Sequence, residues 1–212
     1  MTRSLKYDIP GPDRRVTLEA LHEEGVAALF AGDVEKPLPF VVEIGFGRGE
    51  FLQDLAVREP DVAFLGVDYS HKRVLKLARR LAVTSVSNVR IVEARAEELV
   101  AEFPPECVRT FWINFPDPWP KARHHRRRLL QPALVAELAR RLVPEGLLEV
   151  ATDHEEYAEH IDAVLAAEPQ LENTLDVPFL PEVPGRLVTA YEAEWRAEGR
   201  KLHFWTYRRV AS

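Results

Sequence analysis

Short apolar runs alternate along this chain with segments whose apolar residues recur every three or four positions. The run Phe40–Ile44 precedes a helical pattern over Glu50–Arg58, Ala63–Val67 precedes one over His71–Leu81, and Val89–Val92 precedes a short one over Ala96–Phe103. Val108–Ile113 is followed by a strong pattern over Arg127–Leu142, with Leu129, Leu130, Leu134, Leu138 and Leu142 on one side. Pro144-Glu145-Gly146 turns the chain into a fifth run, Leu147–Ala151, and His154–Ala167 is helical again. Such alternation predicts parallel strands joined by right-handed crossovers, a three-layer α/β sheet. Upstream, Thr17–Phe30 predicts one amphipathic helix, closed by Pro37 and Pro39. Beyond Pro169 the pattern becomes irregular, with Pro178, Pro181 and Pro184 in succession, before a helix over Ala190–Ala197 and a strand over Lys201–Arg208. The chain divides into an N-terminal extension, residues 1–38, and one domain, residues 39–212.

Composition narrows the class. A chain of 212 residues, 46% hydrophobic and 29% charged, suits one substantial core. No apolar run approaches the ~20 residues that span a bilayer, and Met1–Pro12 has no apolar stretch of the kind a signal peptide needs. The lone Cys107 leaves no disulfide and no thiolate cluster for zinc. A cytoplasmic protein without membrane or metal partners is expected. The net charge of −6 gives no global field for nucleic acid, so such a partner needs a local patch. The dense candidate is Lys121–Arg128, where Lys121, Arg123, Arg126, Arg127 and Arg128 flank His124 and His125. Its bland alternative is a solvated helix face. The two histidines lack partners at metal-ligand spacing.

The patch directly follows Asn114-Phe115-Pro116-Asp117-Pro118-Trp119-Pro120, a carboxylate in a proline-stiffened turn after an apolar strand. A second cluster falls on earlier strand ends. Glu43-Ile44-Gly45-Phe46-Gly47-Arg48-Gly49 joins the first strand to its helix, and Asp68 closes the second strand. The spacing is G-x-G-x-G, and position 50 is Glu, which disfavours a pyrophosphate. An acid about 20 residues past the glycines suits ribose hydroxyls, and Glu43 suits a cation. S-adenosyl-L-methionine, with adenosine, a sulfonium and no phosphate, matches better than a dinucleotide. The alternatives are a plain tight turn, a surface acid at Glu43 and a helix N-cap at Asp68.

With these motifs the chain resembles the bacterial tRNA (guanine-N7-)-methyltransferases. The resemblance rests on Glu43–Gly49, Phe64–Asp68, Asn114–Arg128, Ala151-Thr152-Asp153 and Thr189-Ala190-Tyr191-Glu192. It implies a Rossmann-like class I methyltransferase fold, with a mostly parallel sheet and an antiparallel last strand. It also implies transfer of a methyl group from S-adenosylmethionine to N7 of a guanine in the tRNA variable loop. Glu43, Gly45, Gly47, Asp68, Asn114 and Asp117 correspond to cofactor positions, Asp117 also standing at the reaction centre. Lys121 and Arg123 to Arg128 correspond to the tRNA-contacting segment, and Asp153, Thr189, Tyr191 and Glu192 to groups closing around the base. Arg95 stands where many members carry an Asp for the adenine amino group, and Arg cannot accept that bond. Backbone groups near Arg95 and Ala96, or Glu93, are the substitutes.

Guanine N7 has a free lone pair, so orientation and electrostatics suffice without a general base. Asp117 then orients the base, and Asp153 and Glu192 accept from its N1–H and amino group. Their alternatives are a turn former, the N-cap of the helix at His154, and an exposed helix acid. Two other readings stay open, a methyltransferase for a small molecule or protein and a non-catalytic RNA-binding relative, as does the choice between monomer and homodimer.

Overall fold

Every residue of Phe40–Ile44 and Phe64–Asp68 is buried, as expected of strands covered on both faces. A computed structural model describes residues 8–211 of the chain. The readings of Met1–Pro12 and of residues 1–38 therefore lie outside the described residues only over residues 1–7. The elements in chain order are β1 (Arg15–Val16), α1 (Leu18–Leu29), β2 (Phe40–Ile44), α2 (Glu50–Arg58), β3 (Phe64–Asp68), α3 (His71–Leu81), β4 (Val89–Glu93) and α4 (Ala96–Ala101). Then follow β5 (Val108–Asn114), a 3₁₀ helix (Ala122–Arg127), α5 (Pro132–Arg141), β6 (Leu142–Thr152), α6 (Glu155–Ala166), β7 (Leu171–Asn173), α7 (Ala190–Ala197) and β8 (His203–Arg209).

The strands form one sheet in the order β1-β4-β3-β2-β5-β6-β8-β7. Pairings from β1 through β6 are parallel, and β8 runs antiparallel to both β6 and β7. Alternate residues of β2 serve two cores. Val42 and Ile44 join Leu21, Phe30, Leu99, Leu138 and Ile161 from α1, α4, α5 and α6. Val41 joins Phe51, Leu52 and Leu77 from α2 and α3. Helices therefore cover both faces, and the strand ends β2, β3, β5 and β6 open at one edge, where ligands of such sheets bind.

Several boundaries differ from the sequence reading. The helix expected over Arg127–Leu142 begins only at Pro132, which lacks an N–H and occupies the first helical position of α5. Gln131 before it is extended, so Leu129 and Leu130 lie outside the helix. β6 starts earlier than expected, at Leu142, and its pairing with β5 is irregular between Val108 and Thr110. Within α1, Gly25 departs from helical geometry at φ 75°. Strands β1 and β7 escaped notice because two or three residues carry no period. β1 pairs with Ile91 and Val92 of β4, and the following helix buries Leu21 and Val26, so this part of the chain packs onto the sheet.

Candidate functional site

The glycine segment after β2 turns on left-handed backbone. Gly47 has φ 56°, and its N–H donates to Asp68 Oδ2 at 3.1 Å. At Gly49, φ is 71° and a Cβ would stand 2.5 Å from Leu77, so packing of α3 also demands glycine there. Asp68, its side chain fully buried, further accepts from Ser70 N–H at 2.9 Å and from Arg73 at 3.3 Å. It thus ties the end of β3 to the glycine turn. The N-cap of α3 is Ser70.

Glu43 is buried between β3 and β5. One oxygen accepts from Asn114 Nδ2 at 3.3 Å, while Oε2 has no hydrogen-bond partner among the described residues. Burial pushes its carboxyl up to about 7; the Asn114 bond, the Arg186 charge and the Leu52 backbone N–H pull it down, and the Asp68 charge adds to the rise. A buried oxygen without a donor marks a place for a donor or cation from a ligand. Arg95 opens α4 beside this edge with an exposed side chain, and its backbone N–H donates to Glu98.

Beyond Asn114 the chain enters a strained turn. Phe115 and Trp119 both have positive φ, 53° and 44°, which costs of order 1–3 kcal/mol each for non-glycine residues. Asp117 lies between them, exposed, and makes no side-chain hydrogen bond among the described residues. What holds the turn is Arg128. Its Nε donates to Pro118 O at 2.9 Å, its Nη2 reaches Glu156 at 3.1 Å, and its guanidinium lies 5.0 Å from the Tyr157 ring centre. With its side chain 2% exposed, Arg128 leaves the candidate RNA patch and becomes the anchor of the Asp117 turn.

Lys121, Arg123, Arg126 and Arg127 are exposed, with Arg127 packed over Trp119 at 5.0 Å and His124 against the edge of Trp119. His125 is half-buried near Glu156. Replacing Lys121, Arg123, Arg126 and Arg127 together with Ala is expected to reduce the salt slope of tRNA binding by about 2–3 in log–log units without changing the fold. Arg128→Ala is expected instead to cost about 2–3 kcal/mol of stability, because it leaves the Pro118 carbonyl without its donor and empties the space beside Tyr157. Filter binding across a salt series, with thermal melts alongside, measures both. An unchanged slope in the quadruple variant would place the RNA elsewhere.

The segment before α7 closes the edge. Thr189 is the N-cap of α7, accepting from Glu192 N–H at 2.9 Å. Tyr191 reaches over the glycine turn, within 3.4 Å of where a Gly47 Cβ would be, and lies between Arg48 and Trp195. Glu192 is buried rather than exposed, paired with Arg186 at 2.9 Å and Arg196 at 2.9 Å. Asp153 is not a helix cap. His154 caps α6 through Nδ1, and Asp153 pairs with Arg200 at 2.7 Å while remaining part-exposed.

The fold therefore gathers Glu43, Gly45, Gly47, Asp68, Asn114, Tyr191 and Glu192 at one sheet edge, with Asp117 and Asp153 on the adjoining strand ends. Arg186 was not legible as part of this set. It follows Pro184-Gly185 in an aperiodic stretch, and only the packing of α7 carries it inward.

Among known proteins, a family model described as "Putative methyltransferase" matches residues 37–205. The tRNA (guanine-N(7)-)-methyltransferase of Bordetella pertussis is 44% identical over 155 residues, covering 73% of this chain and 61% of that protein. The protein of the same name from Leifsonia xyli subsp. xyli is 42% identical over 172 residues, 80% of this chain and 76% of the relative. That from Halorhodospira halophila is 39% identical over 188 residues, 88% and 81%. The chain thus spans about three-fifths of the length of the Bordetella relative. Among solved structures, the 16S rRNA methyltransferase KamB superposes with TM-score 0.62 at 16% identity, covering 87% of this chain and 94% of that one. The aminoglycoside resistance methyltransferase NpmB1 gives 0.60 at 18%, covering 84% and 89%. These structures carry the fold, that of class I methyltransferases. The sequence relatives carry more: this chain belongs to the tRNA (guanine-N(7)-)-methyltransferase family.

Proposed function

We propose that this protein methylates N7 of a guanine in the variable loop of tRNA, giving 7-methylguanosine, in the cytoplasm, with S-adenosylmethionine as methyl donor. The observation that carries this reading is the Asn114–Arg127 segment. It carries an exposed Asp117 in a strained turn from the strand beside buried Glu43 into a run of exposed cations.

The residues present fit the cofactor. Glu43 Oε2 lacks a partner and suits a cationic ligand, and Asp68 stands where ribose hydroxyls are received. When bound, the cofactor supplies an electrophilic methyl group on a sulfonium. The chain's own residues then need only orient the base and favour the cation that forms on it, since N7 gives up no proton. Asp117 supplies a negative charge at that place, and its turn cannot relax because Arg128 grips Pro118 O. Of the two candidate acceptors for guanine N1–H and its amino group, Asp153 is the more available, with Oδ2 held by Arg200 and Oδ1 left over. Both oxygens of Glu192 are already paired. The exposed cations bind phosphates and bring the polyanion to an otherwise acidic protein.

The test is incubation with methyl-labelled S-adenosylmethionine and an unmodified tRNA transcript, followed by digestion and mass spectrometry. Label in 7-methylguanosine is expected, and it should vanish when adenine replaces the variable-loop guanine. Label elsewhere, or only in small-molecule extracts, would overturn the proposal.

Cofactor binding has a pH signature. Ionised Glu43 attracts a cation, and its carboxyl is pushed up to about 7. Below that value binding must first release a proton, so affinity is expected to rise with pH to about 7 and level off above it. The same shift makes ionised Glu43 a cost to the unliganded fold, absent below the ordinary carboxylate range and complete above about 7. Calorimetry from pH 6 to 8.5 checks the profile, and Glu43→Gln should flatten it.

A further inference from the structure

A guanidinium only 5% exposed bridges the two sides of this site. Arg186 Nη2 donates to Asn114 Oδ1, and Nη1 donates to Glu192 Oε2 at 2.9 Å. Asn114 passes the contact to Glu43 Oε1 at 3.3 Å, and Glu192 Oε1 receives Arg196 at 2.9 and 3.0 Å. The Arg186 guanidinium lies 4.8, 5.3 and 5.7 Å from the ring centres of Phe204, Trp112 and Phe51. A continuous polar chain thus runs from β2, through the end of β5, to the first turn of α7.

Each link constrains the next. A side-chain amide has two orientations, differing in which end is donor. With its carbonyl held by Arg186, Asn114 must present its NH₂ to Glu43. Freed from Arg186, it can turn its carbonyl to accept from Glu43 whenever that carboxyl, pushed up to about 7, is protonated. The surrounding rings leave little room for water to replace the guanidinium, so the orientation depends on this one side chain. A buried ion pair adds little net stability, and simple anchoring of the segment would be served as well by apolar residues. Two acceptors on separate elements are instead what a planar fork of donors recognises and a single ammonium does not.

We infer that Arg186 is a positioning residue that couples the two pockets, so that cofactor binding and tRNA binding favour each other. The inference rests on the reading of Glu43 and Asn114 as cofactor groups and of Thr189 and Tyr191, at the start of α7, as groups closing around the acceptor base. Occupancy on the β2 side fixes Asn114, which fixes Arg186, which holds Glu192 and the N-terminal turn of α7 closed. Such coupling is reciprocal by thermodynamic necessity.

The test measures S-adenosylhomocysteine affinity by calorimetry, with and without saturating tRNA transcript, in the wild type, Arg186→Lys and Glu192→Gln. In the wild type tRNA is expected to tighten cofactor-product binding by about 5-fold or more. In Arg186→Lys the charge stays but the fork is lost, and the ratio should fall to near one. Glu192→Gln leaves Arg186 in its aromatic cage and weakens the link at the α7 end, so it reports even if Arg186→Lys unfolds. A purely structural Arg186 would lower the melting temperature and leave the ratio at its wild-type value. That result in both variants, or no enhancement in a wild type that binds both ligands, would overturn the inference alone. A wild type that binds neither ligand would overturn the reading beneath it, and the inference with it.

Discussion

Asp117→Ala is expected to lower methyl transfer by about two to three orders of magnitude while leaving the melting temperature unchanged. The two halves of that expectation have separate grounds. Asp117 is exposed and makes no side-chain hydrogen bond among the described residues, so truncating it empties no cavity and strands no donor. The turn survives because its ties lie elsewhere, in Arg128 to Pro118 O and in Phe115 N–H to Ala151 O at 2.8 Å. On the proposed reading, what disappears is a negative charge that faces a base becoming cationic. Asp117→Asn separates charge from shape: if charge stabilisation dominates, the amide should be nearly as inactive as alanine. Single-turnover methylation with saturating tRNA and cofactor is the measurement. Rates within threefold of the wild type would remove Asp117 from the reaction centre.

Asp68→Ala should raise the dissociation constant of S-adenosylhomocysteine at least ~100-fold, and it should also weaken the fold. Its two oxygens receive Gly47 N–H, Ser70 N–H and Arg73, and its side chain is fully buried. Removing the carboxylate strands two backbone donors, at about 1–3 kcal/mol for each donor left unpaired, and lets the glycine turn drift from the end of β3. Asp68→Asn keeps one acceptor and should fall between. Calorimetry without RNA isolates the binding effect, and thermal melts give the stability cost. A dissociation constant within threefold of the wild type in Asp68→Ala would show that the cofactor is received elsewhere.

The parts of the molecule legible in the sequence are those fixed by neighbours along the chain. Phe40–Ile44, Phe64–Asp68 and the helices between them follow from local periodicity, and G-x-G-x-G from the need for left-handed turns. Asp117 is visible because prolines flank it. The helix over Arg127–Leu142 misled because leucine spacing outweighed Pro132, whose missing N–H sets where α5 begins. β1, with two residues, has no period to read, and the β4 edge selects it.

The sequence by itself determined the alternation of β2 to β6 with their helices, the glycine turn and the carboxylates on β2 and β3, since backbone sterics and burial pattern act over a few residues. Tertiary structure alone decided which charges serve as scaffold. Arg126, Arg127 and Arg128 are identical side chains in succession, yet two face solvent and the third is buried under Tyr157 and the Asp117 turn. Arg186 and Glu192 look like ordinary surface charges until their segment closes on Asn114 and the glycine turn. The cost of burying a charge depends on the partners that distant segments bring to it, and those partners do not appear in local sequence.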